Sequence, residues 1–441
     1  MPHEPRPPAD GVTFHSLLER ITGLMTAPRT TASFPYFALV TVAVAIFLSV
    51  TTEMLPTGLL PQMSADLRVS ESLVGITVSV FAFTVVLATA PLTILTRRVP
   101  RHALVVAVLL VLALSTVLTA IAPTYAVLVA ARILGGLAHG VFWSVVGAYA
   151  AYLVPPHQVG RAVAITLGGG SLAFVLGVPL GTALGQAIGW RAGFFVVGAL
   201  LVVGAGFVHR FLPRVDHLAS AAVVGTATGG ITVLDDELRQ SHAPRRDHSV
   251  TAVVFVCVIT AIIMIGEYCF YTYVAPFLVR AVGLAEAAVS PALFAFGVAG
   301  AISLVLVALV LGKRPRLGLM VSLVVLLVAV LLLGLVPRAL PVSLPAFFLW
   351  GLAIGILPPL LQTRMLHAAP ARIRDTASAF YTTAFNVGIG GGALLGAVLL
   401  DTLGLGSLPF VFAGILVLSI VLVLVSDALL RQRPHRRVLD H

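Results

Sequence analysis

Twelve runs of predominantly apolar residues, each at least 20 residues long, follow one another along this chain of 441 residues. A helix of about 20 apolar residues crosses the apolar core of a lipid bilayer. Because unpaired backbone groups are costly in lipid, we expect each run to be helical. The predicted membrane spans are residues 36–60, 73–95, 102–122, 125–153, 162–188, 192–212, 250–279, 290–311, 317–336, 342–366, 375–402 and 407–430.

The composition agrees with a polytopic membrane protein, because 59% of the residues are hydrophobic and only 10% are charged. Soluble domains carry about 25% charged residues, so a soluble enzyme and a disordered chain are both excluded. The net charge of +10 does not indicate nucleic-acid binding, since the basic residues lie in short loops without interleaved aromatic residues. The predicted fold class is all-α, with twelve transmembrane helices.

The longest linker, residues 213–249, divides the spans into six and six. We therefore expect two six-helix bundles, residues 35–212 and residues 250–430, around a central cavity. Residues 1–34 are expected to be a cytoplasmic segment with an amphipathic helix on the membrane surface, a disordered tail being the alternative. Residues 431–441 are predicted to be a cytoplasmic tail.

The distribution of arginine residues predicts the orientation in the membrane. With the N-terminus inside, 22 of the 27 basic residues lie in inner segments and four lie in outer loops. The remaining one, Arg132, lies within a span. The positive-inside rule then places both termini in the cytoplasm. Lys313 is the only lysine, and this preference for arginine suggests a GC-rich bacterial genome and a bacterial cytoplasmic membrane.

The two halves of the sequence resemble each other. The loop LTRRVPR at residues 95–101 is echoed by LGKRPR at residues 311–316, and the glycine-rich fifth span is echoed by the eleventh. Glu53 and Glu267 each lie about 17 residues into the first span of their half, which places them at matching depth. Such a repeat is typical of transporters that bind substrate between the halves.

Ionisable residues within the membrane are costly, so each one is a candidate functional residue. Burial favours the neutral form of a carboxyl group, which allows it to take up and release protons near neutral pH. We therefore predict that Glu53 and Glu267 couple transport to protons. The alternative for both is a structural pair with an arginine or with backbone amides.

Arg132 is the one permanent cation within a span, and it needs an acid or several carbonyl groups as partners. Gly136, His139 and Trp143 follow it at helical spacing and share its face. That face is expected to line a polar cavity, with Arg132 and His139 in proton coupling and Trp143 near the substrate. A structural salt bridge for Arg132 and a neutral, hydrogen-bonded His139 are the alternatives.

Other polar and aromatic residues are candidates for the cavity. The aromatic group Tyr268–Tyr273 could stack on a lipophilic ligand, but its position near the outer end of the span favours an interfacial belt. Tyr268 and Tyr271 are the cavity candidates from this group. Gln362 and Asn386 could bind substrate or bond to neighbouring helices.

Several kinds of chemistry are not expected. Gly312 and Lys313 are followed by Arg314 rather than by Ser or Thr, so the chain has no Walker A loop and no ATP motor of that type. The residues Cys257 and Cys269 lie in one span, about 18 Å apart along a helix, and cannot pair there. We predict no cofactor, no metal site and no enzyme activity.

Four sequence motifs resemble those of the major facilitator superfamily, and in particular its twelve-span drug:proton antiporters of the arabinose-efflux-like and chloramphenicol-exporter-like branch. The resemblance covers nearly the whole chain from about residue 36. The motifs are TEMLPTGLLP (Thr52–Pro61), RILGG (Arg132–Gly136), GVPLGTALG (Gly177–Gly185) with GWR after it, and NVGIGGGALLG (Asn386–Gly396).

The resemblance implies roles for individual residues. It makes Glu53 the proton-coupling carboxylate and ties Arg132 to proton transfer. It identifies the segment containing Gly177, Pro179, Gly181 and Gly185 as an antiporter motif, which favours export over uptake. The segment also fits plain physics, since proline bends a helix and small residues permit close packing.

One motif departs from the family pattern. The loop after the second span resembles G-x-L-x-D-R-x-G-R only in part, because Pro91–Arg101 lacks the aspartate and has proline at the second glycine. Its remaining basic residues, Arg97, Arg98 and Arg101, could contact helix carbonyls or another acid.

These observations together predict a secondary active transporter that works by alternating access. We expect it to export a small, largely lipophilic drug, sugar or metabolite in exchange for protons, and to act as a monomer in the lipid bilayer. A proton-coupled symporter that imports a sugar or another small metabolite is the alternative.

Overall fold

The computed structural model describes residues 34–155, 158–214, 248–369 and 373–431. The predicted amphipathic helix and most of the linker and C-terminal tail lie outside these ranges. Within them the chain contains twelve helices that are long and apolar enough to cross a membrane. They are α1 (Tyr36–Leu67), α2 (Glu71–Leu95), α3 (Arg101–Ile121), α4 (Tyr125–Tyr152), α5 (Val159–Leu172 and Val178–Ile188), α6 (Trp190–Phe211), α7 (His248–Tyr271), α8 (Glu286–Leu309), α9 (Pro315–Leu335), α10 (Leu340–Ala368), α11 (Arg374–Thr402) and α12 (Leu408–Arg431).

The helix ends agree with the predicted spans to within a few residues, with two differences. α1 continues seven residues beyond the predicted end, because Pro56 and Pro61 lie inside the helix without ending it. α7 ends at Tyr271 rather than at residue 279, and the chain then passes through a short helix and a π-helical turn, Phe277–Val282. An apolar run predicts a crossing, but not where regular helix geometry stops.

α5 is divided by a π-helical turn, Ala173–Gly177. Pro179 lies just after this turn and has no N–H to donate to the carbonyl group of Val175, whose position its ring would also crowd. Proline and π turns are both recognised sites of helix kinks, and here they adjoin. The glycine motif of α5 therefore begins at a local break in the helix.

The twelve helices form two pseudo-symmetric six-helix bundles, and a packing detail makes the symmetry visible. Gly136 in GLAHG on α4 lies so close to α2 that a β-carbon there would be 2.7 Å from the backbone oxygen of Phe81. Gly351 in GLAIG on α10 lies as close to α8, with a β-carbon 2.6 Å from the oxygen of Phe296. The same helix pair is thus packed through the same motif in each half.

We call the side of the molecule that holds the start of α1 and the end of α12 the terminal face, and the other side the opposite face. Among the described residues, the hydrogen bonds and ion pairs between the two halves lie toward the opposite face. They join α5 to α8, and α2 to the segment after α7. Arg280 pairs with Glu71, Gln186 Nε2 donates to the Glu286 carbonyl at 2.8 Å, and Ser290 Oγ donates to the Pro179 carbonyl at 2.8 Å. On the terminal-face side, Leu95 of α2 is 76% exposed and Phe380 of α11 is 61% exposed.

Candidate functional site

Arg132 lies in the middle of the N-terminal bundle and is only 1% exposed. Its guanidinium group donates to two backbone carbonyls of α1, those of Thr52 at 3.0 Å and Glu53 at 2.9 Å. It also lies 4.3 Å from the centre of the Phe81 ring. Of the two partner types expected from the sequence, the structure therefore provides carbonyl groups rather than a carboxylate.

The Thr52 carbonyl needs such a partner because of the proline four residues later. In an α-helix this carbonyl would accept from the N–H of residue 56, but Pro56 has none. A buried carbonyl without a donor costs free energy comparable to a lost hydrogen bond. Arg132 supplies the donor from α4, so the motif residues Pro56 and Arg132 depend on each other.

Glu53 forms a small buried cluster with Ser49 and His139. Its Oε2 is 3.4 Å from His139 Nε2, and His139 Nδ1 is 2.9 Å from Ser49 Oγ. Glu53 Oε1 is buried and has no hydrogen-bond partner among the described residues. Since imidazole nitrogens and carboxyl oxygens can each carry a proton, the contact between them can hold a proton on either side.

Glu267 has a different partner, which the sequence analysis missed. Its Oε2 accepts a hydrogen bond at 2.7 Å from Nε1 of Trp350 on α10. Glu267 is 5% exposed, like Glu53. The sequence signal that could have indicated this partner is the Gly-Leu-Ala repeat shared by GLAHG on α4 and GLAIG on α10. It places Trp350 on the helix equivalent to that of Arg132 and His139.

The prediction that the aromatic residues 268–273 form a belt at the membrane interface is wrong. Tyr268, Phe270, Tyr271 and Tyr273 are all buried inside the protein rather than exposed at its rim. Tyr271 contacts Phe174 of α5, with 6.3 Å between ring centres, and so reaches the other half of the molecule. The sequence could not distinguish these outcomes because α7 is apolar on every side.

The three remaining cavity candidates lie in different surroundings. Trp143 is half-buried, with its ring centre 6.1 Å from that of His139, so it adjoins the Glu53 cluster. Gln362 is exposed on α10. Asn386 donates a hydrogen bond to the Thr382 carbonyl of its own helix at 3.0 Å. Their contact with substrate stays a prediction.

The glycines of the antiporter motif form the contact between α5 and α1. A β-carbon on Gly177 would overlap Thr51, while β-carbons on Gly181 and Gly185 would lie 2.6 Å and 2.5 Å from Leu55 and Leu59. Pro179 is buried in the same segment. The motif therefore seats α5 against the helix that carries Glu53.

The turn after this motif ties three helices together at the opposite face. Gly189 begins this turn with a φ of 90°, a backbone angle that residues other than glycine rarely adopt. Arg191 donates to the Ala120 and Ala122 carbonyls and pairs with Asp66, which also accepts from Trp190 Nε1 at 3.0 Å.

The basic loop motif has different surroundings in the two halves. Arg97 and Arg98 are exposed and Arg101 is half-buried at the terminal face. In the C-terminal half, Arg316 of the echoed loop lies 2.5 Å from Asp427 of α12, which Arg364 also contacts at 2.6 Å. Asp427 is thus an acid partner for this loop that lies more than 100 residues away in the sequence.

Comparison with known proteins agrees with this architecture. The family model described as "Major Facilitator Superfamily" matches residues 42–393 and 256–439. The chain belongs to the major facilitator superfamily. Members of this superfamily are transporters, so the chain is a multi-pass membrane transporter and not an enzyme.

Similar curated superfamily members carry a consistent description. A "probable sugar efflux transporter" of Mannheimia succiniciproducens is 30% identical over 386 residues, covering 88% of this chain and 92% of the relative. One from Helicobacter pylori strain 26695 is 29% identical over 385 residues, covering 87% of this chain and 94% of the relative. These names agree with the arabinose-efflux-like branch indicated by the sequence motifs.

Solved structures of other major facilitator proteins share the fold at low sequence identity. A D-xylose–proton symporter has a TM-score of 0.73 at 15% identity, covering 89% of this chain and 97% of that protein. A bacterial homologue of the human lysosomal transporter Spinster, in an inward-facing and unoccupied conformation, has a TM-score of 0.70 at 16% identity, covering 92% and 100%. At such identities the similarity concerns the fold alone.

Proposed function

We propose that this protein is a bacterial cytoplasmic-membrane exporter that exchanges protons for a small uncharged compound, a sugar being the first candidate within the broader class of lipophilic drugs, sugars and metabolites. The relatives named as sugar efflux transporters support the substrate class and the direction. The antiporter motif seated on α1 supports export. The arginine bias supports cytoplasmic termini, and we propose that the monomer is the working unit.

The observation that carries the proposal is the buried cluster of Ser49, Glu53 and His139 beside Arg132. Protonation of Glu53 leaves the two hydrogen bonds from Arg132 to the α1 carbonyls intact, because neither bond involves the carboxylate. A proton on Glu53 and a bound substrate can then favour different arrangements of α1 and α4. Differential stabilisation of two arrangements is what alternating access requires.

With cytoplasmic termini, the contacts between the halves lie at the outer side of the membrane. The arrangement then corresponds to an inward-facing state, in which Glu53 would release its proton to the cytoplasm and substrate would enter. Opening at the outer side would complete the cycle.

The test uses everted membrane vesicles in which respiration acidifies the lumen, and follows the lumenal pH with a quenched acridine dye. Adding L-arabinose, D-xylose or lactose should release protons in the wild type. Glu53→Gln should abolish this release while retaining exchange of labelled against unlabelled sugar, since only the proton site is removed. Glu286→Gln, which neutralises an exposed acid at the membrane boundary, is the matched control and should behave as wild type.

Proton release by well-folded Glu53→Gln would contradict the assignment of the proton site. Sugar accumulation in right-side-out vesicles, driven by an inward proton gradient, would establish the symporter alternative instead.

A further inference from the structure

The two buried carboxyl groups differ in what their partners can do. Glu53 faces an imidazole, which can donate or accept a proton. Glu267 faces an indole N–H, which is always a donor and never an acceptor. Oε2 of Glu267 is therefore engaged in every protonation state, and Oε1 is the oxygen that can bind another group.

Trp350 is held rigidly, so the direction of its N–H is fixed. The side chain is 0% exposed, and its ring stacks on Phe270 with 4.6 Å between centres and an angle of 11°. The rings of Phe296 and Phe347 pack edge-on against it at 5.4 Å and 5.6 Å. A donor fixed in this way also fixes the orientation of the carboxyl group that accepts from it.

The polar groups around Glu267 face the boundary between the two halves. Tyr271 packs edge-on against Trp350 and contacts Phe174 across that boundary. Tyr268, next to Glu267 in the sequence, packs edge-on against Tyr271 with 6.2 Å between ring centres. Among the described residues, the titratable groups beside Glu267 are thus Tyr268 and Tyr271 of its own helix, while Arg132 of the other half is bound to carbonyl groups.

We propose that Trp350 is a positioning residue: it fixes the Glu267 carboxyl group so that Oε1, together with the hydroxyls of Tyr268 and Tyr271, binds hydroxyl groups of an uncharged substrate. This proposal rests on the proposed transport function. It assigns two tasks to two residues: Glu53 carries the proton, and Glu267 binds substrate. An anionic substrate would face the acid Glu267 with no available cation among the described residues of this site, so the site discriminates against it.

The test measures equilibrium binding to purified protein at one pH without a gradient. The probes are 4-nitrophenyl β-D-galactopyranoside, which is neutral, and 4-nitrophenyl β-D-glucuronide, which is an anion. The wild type should bind the first and discriminate against the second. Trp350→Phe should weaken binding of the galactoside roughly 10-fold or more, because a misoriented Glu267 loses its hydrogen bond to the substrate hydroxyl. In transport, KM should rise in the same proportion with kcat unchanged.

Trp190→Phe is the matched control, because it also removes an indole N–H donated to a carboxylate, that of Asp66, but far from Glu267. It should bind the galactoside as the wild type does. In case Trp350→Phe fails to fold, 3-benzothienylalanine at position 350 replaces only the ring N–H by sulfur and should give the same loss. Combined with Glu267→Ala, Trp350→Phe should have no further effect, since Trp350 acts through Glu267.

Unchanged galactoside binding in both position-350 variants would overturn the positioning role. Equal binding of the glucuronide, or no binding of the galactoside by wild type, would overturn the assigned ligand chemistry. Galactoside binding that depends on Trp350 in a protein without sugar-driven proton release would reject antiport and retain the binding site. Sugar-driven proton release that is unaffected by Trp350→Phe and Glu267→Gln would retain antiport and reject the binding site.

Discussion

At the scale of single residues, the pairing of Pro56 with Arg132 explains why an arginine is stable inside an apolar bundle. The proline leaves one carbonyl of α1 without its usual donor, and the guanidinium group provides a planar fork that reaches this carbonyl and its neighbour. Lysine could not span both acceptors, because its ammonium group is a compact point charge.

Arg132→Lys should therefore lower stability even though it keeps the charge. Losing one hydrogen bond from a charged donor costs about 1.5–3 kcal/mol. Pro56→Ala restores an N–H for the Thr52 carbonyl, so the Arg132→Lys change should cost less in that background. Thermal unfolding of the four purified proteins measures this cycle, and strictly additive effects would contradict the proposed dependence.

The sequence predicts much of this site but not its bonding. Glu53, Arg132 and His139 stand out because ionisable residues are rare in apolar spans. Ser49 does not stand out, since a small hydroxyl residue is ordinary in a membrane helix. The partner of Glu267 was equally hidden, because tryptophan in an apolar run indicates core packing, and only the three-dimensional arrangement reveals that Trp350 donates to an acid.

At the scale of elements, rows of glycine residues allow close helix contacts in both halves. α5 approaches α1 through Gly177, Gly181 and Gly185, while α11 approaches α7 through Gly388, Gly392 and Gly396. The contacts differ in kind: the three motif glycines of α5 meet side chains of α1, whereas Gly392 and Gly396 also meet the α7 backbone. A side chain can move aside, but a packed backbone cannot.

Gly392→Ala should consequently be strongly disruptive. Its β-carbon would lie 2.5 Å from the Ile265 carbonyl oxygen, and overpacking of this kind costs about 1–3 kcal/mol or more. Gly391→Ala is the control, because its β-carbon would meet only Ile265 side-chain atoms at 3.5 Å and beyond, and alanine favours helix. Detergent-solubilised melting temperatures compare the two, and equal values would contradict the packing argument.

Twelve spans could be predicted because length and apolarity alone decide whether a helix crosses a bilayer. The π-helical turn of α5 could not be predicted, although Pro179 indicates a bend there. Proline signals a missing hydrogen bond, but the local geometry that accommodates the loss depends on neighbours such as Gly297 of α8, which packs on Phe174 within the turn.

At the scale of the whole molecule, the closeness of α5 and α8 determines whether the halves can close at the opposite face. Gly297 lies against the backbone of Phe174 and Val175, and nearby Ser290 donates to the Pro179 carbonyl. Both contacts join the two bundles and must separate when the molecule opens on this side.

Gly297→Ala should shift the population toward conformations open at the opposite face, because a β-carbon would overlap the Phe174 carbonyl. The measurement is the rate of maleimide labelling at Ser290→Cys, in a background without Cys257 and Cys269. The buried site should react faster in the variant. Gly300→Ala, whose β-carbon would be 3.8 Å from the nearest atom, should label at the unmodified rate, and equal rates for both would contradict this gating role.

The ion pair between Arg280 and Glu71 should contribute much less to closure, since the arginine side chain is 54% exposed. Exposed pairs contribute about 0–1 kcal/mol and are screened by salt. Arg280→Gln should raise the labelling rate at Ser290→Cys by less than roughly fivefold, which is the factor that corresponds to about 1 kcal/mol. This increase should disappear at high salt. A larger, salt-independent effect would mean that Arg280 has another role.

The partners of Arg132 also determine how the carrier responds to voltage. Carbonyl groups carry no net charge, so Glu53 is the acid that balances this fixed cation among the described residues at the centre of this half. With Glu53 ionised the pair is neutral, and with Glu53 protonated the same region carries a charge of +1. A membrane potential acts on that charge by up to about 2.3 kcal/mol per 100 mV for a full crossing. In the proposed antiport cycle, the proton-loaded half would therefore sense the electrical gradient, while the other half would not.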